Sequence, residues 1–174
     1  MKNILKKLLC FLLVLVFAFG CFAENMTEDE VLCEDGVAIT ADLIVEYGCD
    51  YYLKDEVALY LYAFCELPPN YITKNEAMDL GWVSNRGNLW DVFEGGCIGG
   101  DRFGNYERIL PTKKGRTYYE CDVNYEGGYR DVYRIVFSTD GLIYSTEDHY
   151  ETFELLYEGW FNPLLTYKPY KGDK

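Results

Sequence analysis

Two carboxylates, one imidazole and a few cations are the residues of this 174-residue chain whose types and spacing could do chemistry. Side chains two apart in a strand share a face. Glu120 and Asp122 therefore fall together on a run, Arg116 to Tyr125, that alternates and is rich in aromatics. On the next such run, Arg130 to Phe137, Arg130 and Arg134 share a face. A hairpin of the two would set the carboxylates beside the arginines, either as a surface ladder of ion pairs or as a phosphate site. His149, the only histidine, follows in Asp148-His149-Tyr150. Cleavage of RNA by internal transfer needs a base for the 2′-OH proton and an acid for the departing 5′-oxygen. It also needs cations against the charge growing on the phosphate. A Glu, a His and two or three Lys/Arg suffice, because the 2′-OH is itself the nucleophile and no metal is required.

The surrounding sequence predicts how these residues are held. Asp55 is placed to cap a helix through Val57, Leu59, Tyr60, Leu61 and Phe64, stopped by Pro68 and Pro69. Thr73 and Glu76 have the spacing of a capping box, and Gly81 the place of a C-terminal stop, for a second short helix. A further helical turn is expected over Asn88 to Val92. After Gly95 the pattern changes to strands: Ile98 to Phe103, the two runs above, and Leu142 to Thr146. Glu126-Gly127-Gly128 and Thr139-Asp140-Gly141 read as the turns between them. Helices first and an antiparallel meander after them make an α+β fold.

The chain carries 16 bases against 29 acids, a formal charge of −13. Phosphate contacts supply most nonspecific nucleic-acid affinity, so any RNA site must be a local basic island. Residues 1–23 combine Lys2, Lys6 and Lys7, an apolar run from Leu8 to Phe19, and an exit at Gly20, Cys21 and Ala23. That is the plan of a secretory signal peptide cleaved after Ala23; lipidation at Cys21 is the rival reading. Without it the mature chain has 13 bases and 29 acids, −16. Residues 24–53 hold nine acids and no Lys or Arg. They are expected to be an acidic extension, either a packed or solvated arm or a segment competing with RNA for the basic groove. Cys33, Cys49, Cys65, Cys97 and Cys121 are an odd number, which leaves at least one thiol unpaired; Cys33 and Cys49 are a candidate loop closure. With no CxxC pair and no Cys/His cluster, a zinc site is not expected.

Many short stretches fall into place together: Leu67-Pro68-Pro69-Asn70-Tyr71-Ile72-Thr73-Lys74, Leu80-Gly81-Trp82, Gly87-Asn88-Leu89, Ile98-Gly99-Gly100-Asp101 and Phe103-Gly104-Asn105. Leu110-Pro111, Gly115-Arg116, Glu120-Cys121-Asp122, Arg134-Ile135 and Asp148-His149-Tyr150-Glu151-Thr152-Phe153 complete the series. In type and spacing, from Asp55 to Phe153, the chain resembles the barnase-like family of guanyl-preferring bacterial ribonucleases. The resemblance implies short helices packed on an antiparallel sheet. It implies Glu120 as general base, His149 as general acid, and Lys74, Arg130 and Arg134 as phosphate-binding cations. Asp122 would brace the arginines and Asp101 would lie near Lys74. Guanine would be read by the loop Phe103 to Glu107, with the Glu107 carboxylate accepting from N1–H and N2–H₂ and backbone N–H groups at Gly104 and Asn105 binding O6. Tyr150 is expected to stack on a base. Where the family usually has an arginine, this chain has Tyr106, which predicts weaker substrate binding.

The implied protein is a secreted, monomeric endoribonuclease without cofactor or metal, acting on RNA. Its organisation would be a signal peptide (1–23), acidic extension (24–53), ribonuclease domain (54–154) and C-terminal tail (155–174) without a legible motif. A small acidic intracellular inhibitor protein is an expected partner. A catalytically silent RNA- or protein-binding module would have lost Glu120 or His149, and neither is lost. An antibacterial toxin shares the chemistry but would be carried on a larger export module.

Overall fold

The computed structural model describes residues 31–169 apart from 35 and 41. The expected signal peptide (1–23), the rival reading of lipidation at Cys21, and residues 24–30 of the acidic stretch lie outside the described residues. The chain divides into two compact units, to Ile44 and from Val45 onward. In the first, β1 (Leu32–Glu34) and β2 (Val37–Ile39) form an antiparallel hairpin. A short strand, β3 (Ile44–Glu46), falls at the junction.

The second unit starts earlier in the chain than the expected domain start at residue 54. Val45 is fully buried, Tyr51 packs on the main core, and the Tyr52 hydroxyl donates to the Gly95 carbonyl at 2.9 Å. Helix α1 (Lys54–Phe64) follows. Asp55 does not cap it: the helix begins one residue before, so Asp55 sits in its first turn. The exposed helix-end donors go elsewhere. Lys54 N–H donates to Asn124 Oδ1 at 3.0 Å and Leu53 N–H to the Glu56 carboxylate at 3.4 Å. The helix ends at Cys65, in the left-handed region, before either proline. The capping box forms as expected at α2 (Lys74–Asp79): Glu76 N–H donates to Thr73 Oγ1, and Thr73 N–H to Glu76 Oε2 at 2.7 Å. The turn of helix at α3 (Leu89–Val92) is also present.

Six strands make one sheet in the order β4 (Tyr71–Ile72), β5 (Cys97–Phe103), β6 (Tyr118–Asp122), β7 (Arg134–Ser138), β8 (Ile143–Thr146) and β9 (Glu154–Tyr157). All pairs are antiparallel except β4 with β5. This is the expected α+β architecture. On one face Val57, Ala58 and Leu61 of α1 pack on Cys121, Val123, Ile135, Phe137 and Ile143. A second cluster joins Ala77, Trp82 and Leu89 to Cys97, Ile98 and Tyr125. On the opposite face Tyr118 and Val136 pack with Leu110, Phe103, Tyr150 and Phe153.

Three strand expectations are corrected. β6 is shorter than the alternating run, and both of its faces are covered, so Tyr118 on the site face is as buried as Cys121 on the other. β7 begins only at Arg134, which leaves Arg130 in a loop. The Glu126-Gly127-Gly128 stretch is therefore part of a long connection and not a tight turn. Gly87 explains where that loop goes: Asn88 bridges to Gly128, and a Cβ at Gly87 would lie 2.8 Å from the Gly128 backbone. Thr139-Asp140-Gly141 is a tight turn as expected, with Gly141 N–H donating to Ser138 O at 3.1 Å.

Residues 155–169, unread in the sequence, supply the rest of β9 and two core side chains, Trp160 and Tyr167. The five cysteines within the described residues carry free thiols, and the Cys33–Cys49 closure is not made. Burial drives the Cys65 and Cys97 thiols up to about 12, and the opposing pull of Lys168 on Cys65 is too small to offset it, so neither is a reactive thiolate.

Candidate active site

β6 presents Glu120 and Asp122 on the sheet face opposite α1, and the register sets Asp122 directly across from Arg134. A bulge in β5 completes the floor. Gly100, at φ +86°, absorbs a register shift between Gly99 and Asp101, which brings Asp101 across from Glu120.

Asp122 is 1% exposed and lies beneath the cations. Arg130 reaches it from the loop with a two-pronged grip, Nε to Oδ2 at 2.5 Å and Nη2 to Oδ1 at 2.6 Å. The guanidinium also lies over the Trp82 ring, 5.9 Å from its centroid. Desolvation is the largest single influence and opposes the Arg130 charge, but the Asp122 hydrogen bonds together with the charges of Asp122 and Glu120 outweigh it, and the group titrates above its ordinary value. Arg134 Nε is 2.8 Å from Asp122 Oδ1, an ion pair without hydrogen-bond alignment, so that nitrogen has no hydrogen-bond acceptor. Its Nη1 donates to the Tyr133 carbonyl at 2.6 Å.

Glu120 is held at both oxygens. Lys74 Nζ, from the first turn of α2, donates to Oε1 at 2.6 Å, and the Tyr150 hydroxyl donates to Oε2 at 2.7 Å. Lys74 is itself anchored by its N–H to Asp101 Oδ2 at 2.9 Å. Burial raises the Asp101 carboxyl against the lowering effect of that bond. Burial, then the neighbouring Glu120 charge, push the Tyr150 phenol well above its usual range, so the phenol stays a donor wherever Glu120 is ionised. This bond is the functional contact the sequence did not reveal. The Tyr150 ring packs on Phe103 at 5.2 Å and on His149 at 5.0 Å. That leaves its edge, and not a free face of the ring, turned to the carboxylate.

His149 and Tyr150 both have positive φ, +60° and +75°, an uncommon pairing for residues with a Cβ. Asp148 holds them there. Its carboxylate accepts from the N–H groups of Glu151 and Thr152 at 3.0 and 2.9 Å and from the Thr146 and Thr152 hydroxyls. These bonds, the Thr152 hydroxyl foremost, keep its carboxyl at about 2. Thr146 Oγ1 in turn accepts the Tyr150 N–H at 3.0 Å. The result is an exposed imidazole at the rim.

The loop after β5 forms the opposite wall. Asn105, at φ +43°, spends its side-chain amide on the loop itself, donating to the Leu110 carbonyl at 2.9 Å and accepting its N–H at 3.1 Å. Tyr106 is 92% exposed, and its ring covers Gly104, where a Cβ would meet it at 2.2 Å. Glu107 is exposed and makes no ion pair among the described residues. Between the walls lies a cleft of about 390 Å³, lined by Lys74, Glu120, Arg130, Arg134, His149 and Tyr150 on one side and Phe103 to Glu107 on the other. Every residue expected to act on substrate thus borders one cleft, with Asp101 and Asp122 bonded to residues that line it.

A family model described as ribonuclease matches residues 56–157. The chain belongs to this ribonuclease family. A ribonuclease of Heyndrickxia coagulans is 54% identical over 99 residues, covering 57% of this chain and 91% of that protein. Ribonucleases of Bacillus intermedius and Bacillus pumilus are also 54% identical over 99 residues, which is 61% of their own length. The match of this ribonuclease to the family runs beyond Phe153 through the end of β9, in agreement with the six-stranded sheet.

Proposed function

We propose that this ribonuclease is an exported, monomeric endonuclease that cuts single-stranded RNA 3′ of guanosine, by transfer to a 2′,3′-cyclic phosphate, without a metal. The observation that carries the reading is the Glu120 carboxylate, fixed at both oxygens in a cleft shared with His149, two arginines and the Phe103–Glu107 loop. Glu120 takes the 2′-OH proton and the 2′-oxygen attacks phosphorus. The bond to the 5′-oxygen breaks, and that oxygen takes its proton from the His149 imidazolium. The products are a cyclic phosphate and a 5′-hydroxyl; water then opens the ring with the two roles exchanged. Lys74, Arg130 and Arg134 face the phosphate oxygens as charge builds on them.

Guanine selection rests on Glu107, whose carboxylate has no competing cation among the described residues. It also rests on the backbone of Gly104 and Asn105, since the Asn105 side chain is already committed. Export rests on residues 1–23 alone, with lipid anchoring at Cys21 as its variant. An acidic inhibitor protein would find its complement in the cations of the cleft. The test is incubation of the mature protein with short RNAs in excess EDTA, mapping both ends of each product. Cyclic phosphate ends after guanosine are expected. Loss of cleavage in EDTA, or equal cleavage after all four bases, would overturn the metal-free or the guanine part respectively.

A further inference from the structure

On the far side of the Phe103–Glu107 loop is a second depression, of about 160 Å³, bordered by Arg102, Arg108, Lys113 and Arg116. No Asp or Glu lines it. In a chain with 29 acids against 16 bases, a single-signed basic hollow is not the mixed surface that charge statistics would give. Two of the cations are fixed from behind. Arg116 donates Nε and Nη2 to Asp140, each at 2.7 Å, and Lys113 Nζ lies 3.1 Å from the same carboxylate. The other two, Arg102 and Arg108, are exposed and make no ion pair among the described residues. Arg108 stands at φ +58°, with its N–H donating to Asn105 O at 3.1 Å, so the loop that would read a base also presents this guanidinium.

The hollow is continuous with the cleft: Arg102, Phe103, Gly104 and Asn105 border both. It is well below the roughly 300 Å³ of pockets that enclose a whole small ligand. It offers a base no ready aromatic platform, since Tyr118 is buried with its hydroxyl on Pro111 O and the Phe103 ring packs on Tyr150 and Phe153. What two unpaired guanidiniums beside two fixed cations suit is a phosphate, whose oxygens match the guanidinium fork.

We propose that this depression is a phosphate subsite for the RNA strand beyond the scissile dinucleotide, reached over the Gly104 rim. The inference rests on the reading of the cleft as the RNA-cleaving site. It places substrate affinity on Arg108 and Lys113, with Arg102 beside them, in a chain that carries Tyr106 where the family usually has a cation.

The test compares a guanosine-containing dinucleoside monophosphate with hexanucleotides carrying a single guanosine, on the unmutated protein and on Arg108→Gly/Lys113→Gln. Glycine suits φ +58°, and both positions are exposed. Dinucleotide cleavage should be unchanged by the double substitution. On the hexanucleotides kcat/KM should fall, and the slope of log kcat/KM against log salt should become shallower by about 1.4, two contacts at about 0.7 each for a single strand. The unmutated protein's advantage would then shrink about sevenfold between roughly 50 and 200 mM salt. Arg108→Lys should keep most of it. An equal loss on both substrates, or an unchanged hexanucleotide rate and salt slope, would overturn the subsite, the latter leaving the patch to an acidic protein ligand. Failure of the unmutated protein to cleave the dinucleotide would instead overturn the reading of the cleft.

Discussion

Tyr150→Phe separates two roles that the sequence alone could not. A stacking role keeps the ring essential and the hydroxyl idle. The structure puts the hydroxyl on Glu120 Oε2 at 2.7 Å and packs the ring on Phe103. Phenylalanine keeps the ring and its contacts and removes only the donor. A hydrogen bond to a charged group is worth about 1.5–3 kcal/mol, and about 1.4 kcal/mol is tenfold in rate. Part of the loss is returned, because a carboxylate with one donor fewer binds a proton more strongly. The expected outcome is therefore the low end, a fall in kcat of about tenfold, with KM for a guanosine dinucleotide within about twofold. Steady-state kinetics on such a dinucleotide, with thermal unfolding as a check on the fold, measures it. If kcat is unchanged and KM rises, Tyr150 serves base binding and the proposed orientation of Glu120 by its hydroxyl is wrong.

Other outcomes follow from the same geometry. Glu120→Ala and His149→Ala should each cost about 10²–10⁴-fold in rate; a folded His149→Ala protein that keeps near-full rate on a dinucleotide would remove the imidazole from the mechanism. The unmutated rate should be bell-shaped in pH, with limbs set by a carboxylate and an imidazole. Glu107→Gln sets an NH₂ against guanine's donors, and competition between guanosine and adenosine dinucleotides should show the preference lost while Glu120 chemistry persists. Asp140 is a stability prediction. Its hydrogen bond from Arg116, with those from Ser138 and Lys113, holds its carboxyl below the usual range. The stabilisation is thus present above the unfolded carboxyl's pKa, near 4, and is lost as pH falls through the lower folded value. Asp140→Asn should cost about 1 kcal/mol at neutral pH, discounted because the side chain is a third exposed. In urea unfolding the difference from the unmutated protein should close toward pH 2.

What was legible in the sequence was local. The capping box of α2 depends on two side chains three apart, and the 139–141 turn on three consecutive residues. Period-two alternation put Glu120 and Asp122 on one face, and the facing register put Arg134 beside them. What failed depended on distant chain. Arg130 read as a strand residue because Val132 and Arg134 continued its alternation. The Gly87–Gly128 approach, 41 positions apart in sequence, pulls it into a loop. Alternation marks the face of Cys121 and Val123 as the packed side of β6 but not that the other is covered too, with Tyr118 and Cys121 buried under different layers. The hydroxyl of Tyr150 meets Glu120 thirty residues away, and no spacing rule reaches that far. β9, Trp160 and Tyr167 were invisible because an aromatic-rich tail has no period until a sheet edge gives it one.

The charge arrangement explains how so acidic a chain can hold a polyanion. Buried ion pairs are weak evidence for stability, since desolvation offsets much of their attraction. The value of burying Asp122 lies elsewhere. Arg130 and Arg134 would repel each other across the cleft without it, and each would have to be ordered when the phosphate arrives. With Asp122 nearly sealed from water, Arg130 is gripped by two short bonds and Arg134 is drawn to the same oxygen edge before any ligand binds. Lys74 is fixed in the same way by Glu120. Three cations against these two carboxylates leave one positive charge in surplus, already oriented, so on the proposed reading a phosphate entering the cleft would pay little to reorganise the protein. Acids farther from the cleft than a Debye length, about 8 Å at physiological salt, are largely screened from it. They weaken long-range attraction of RNA, whereas the contacts proposed at the scissile phosphate would be made at short range.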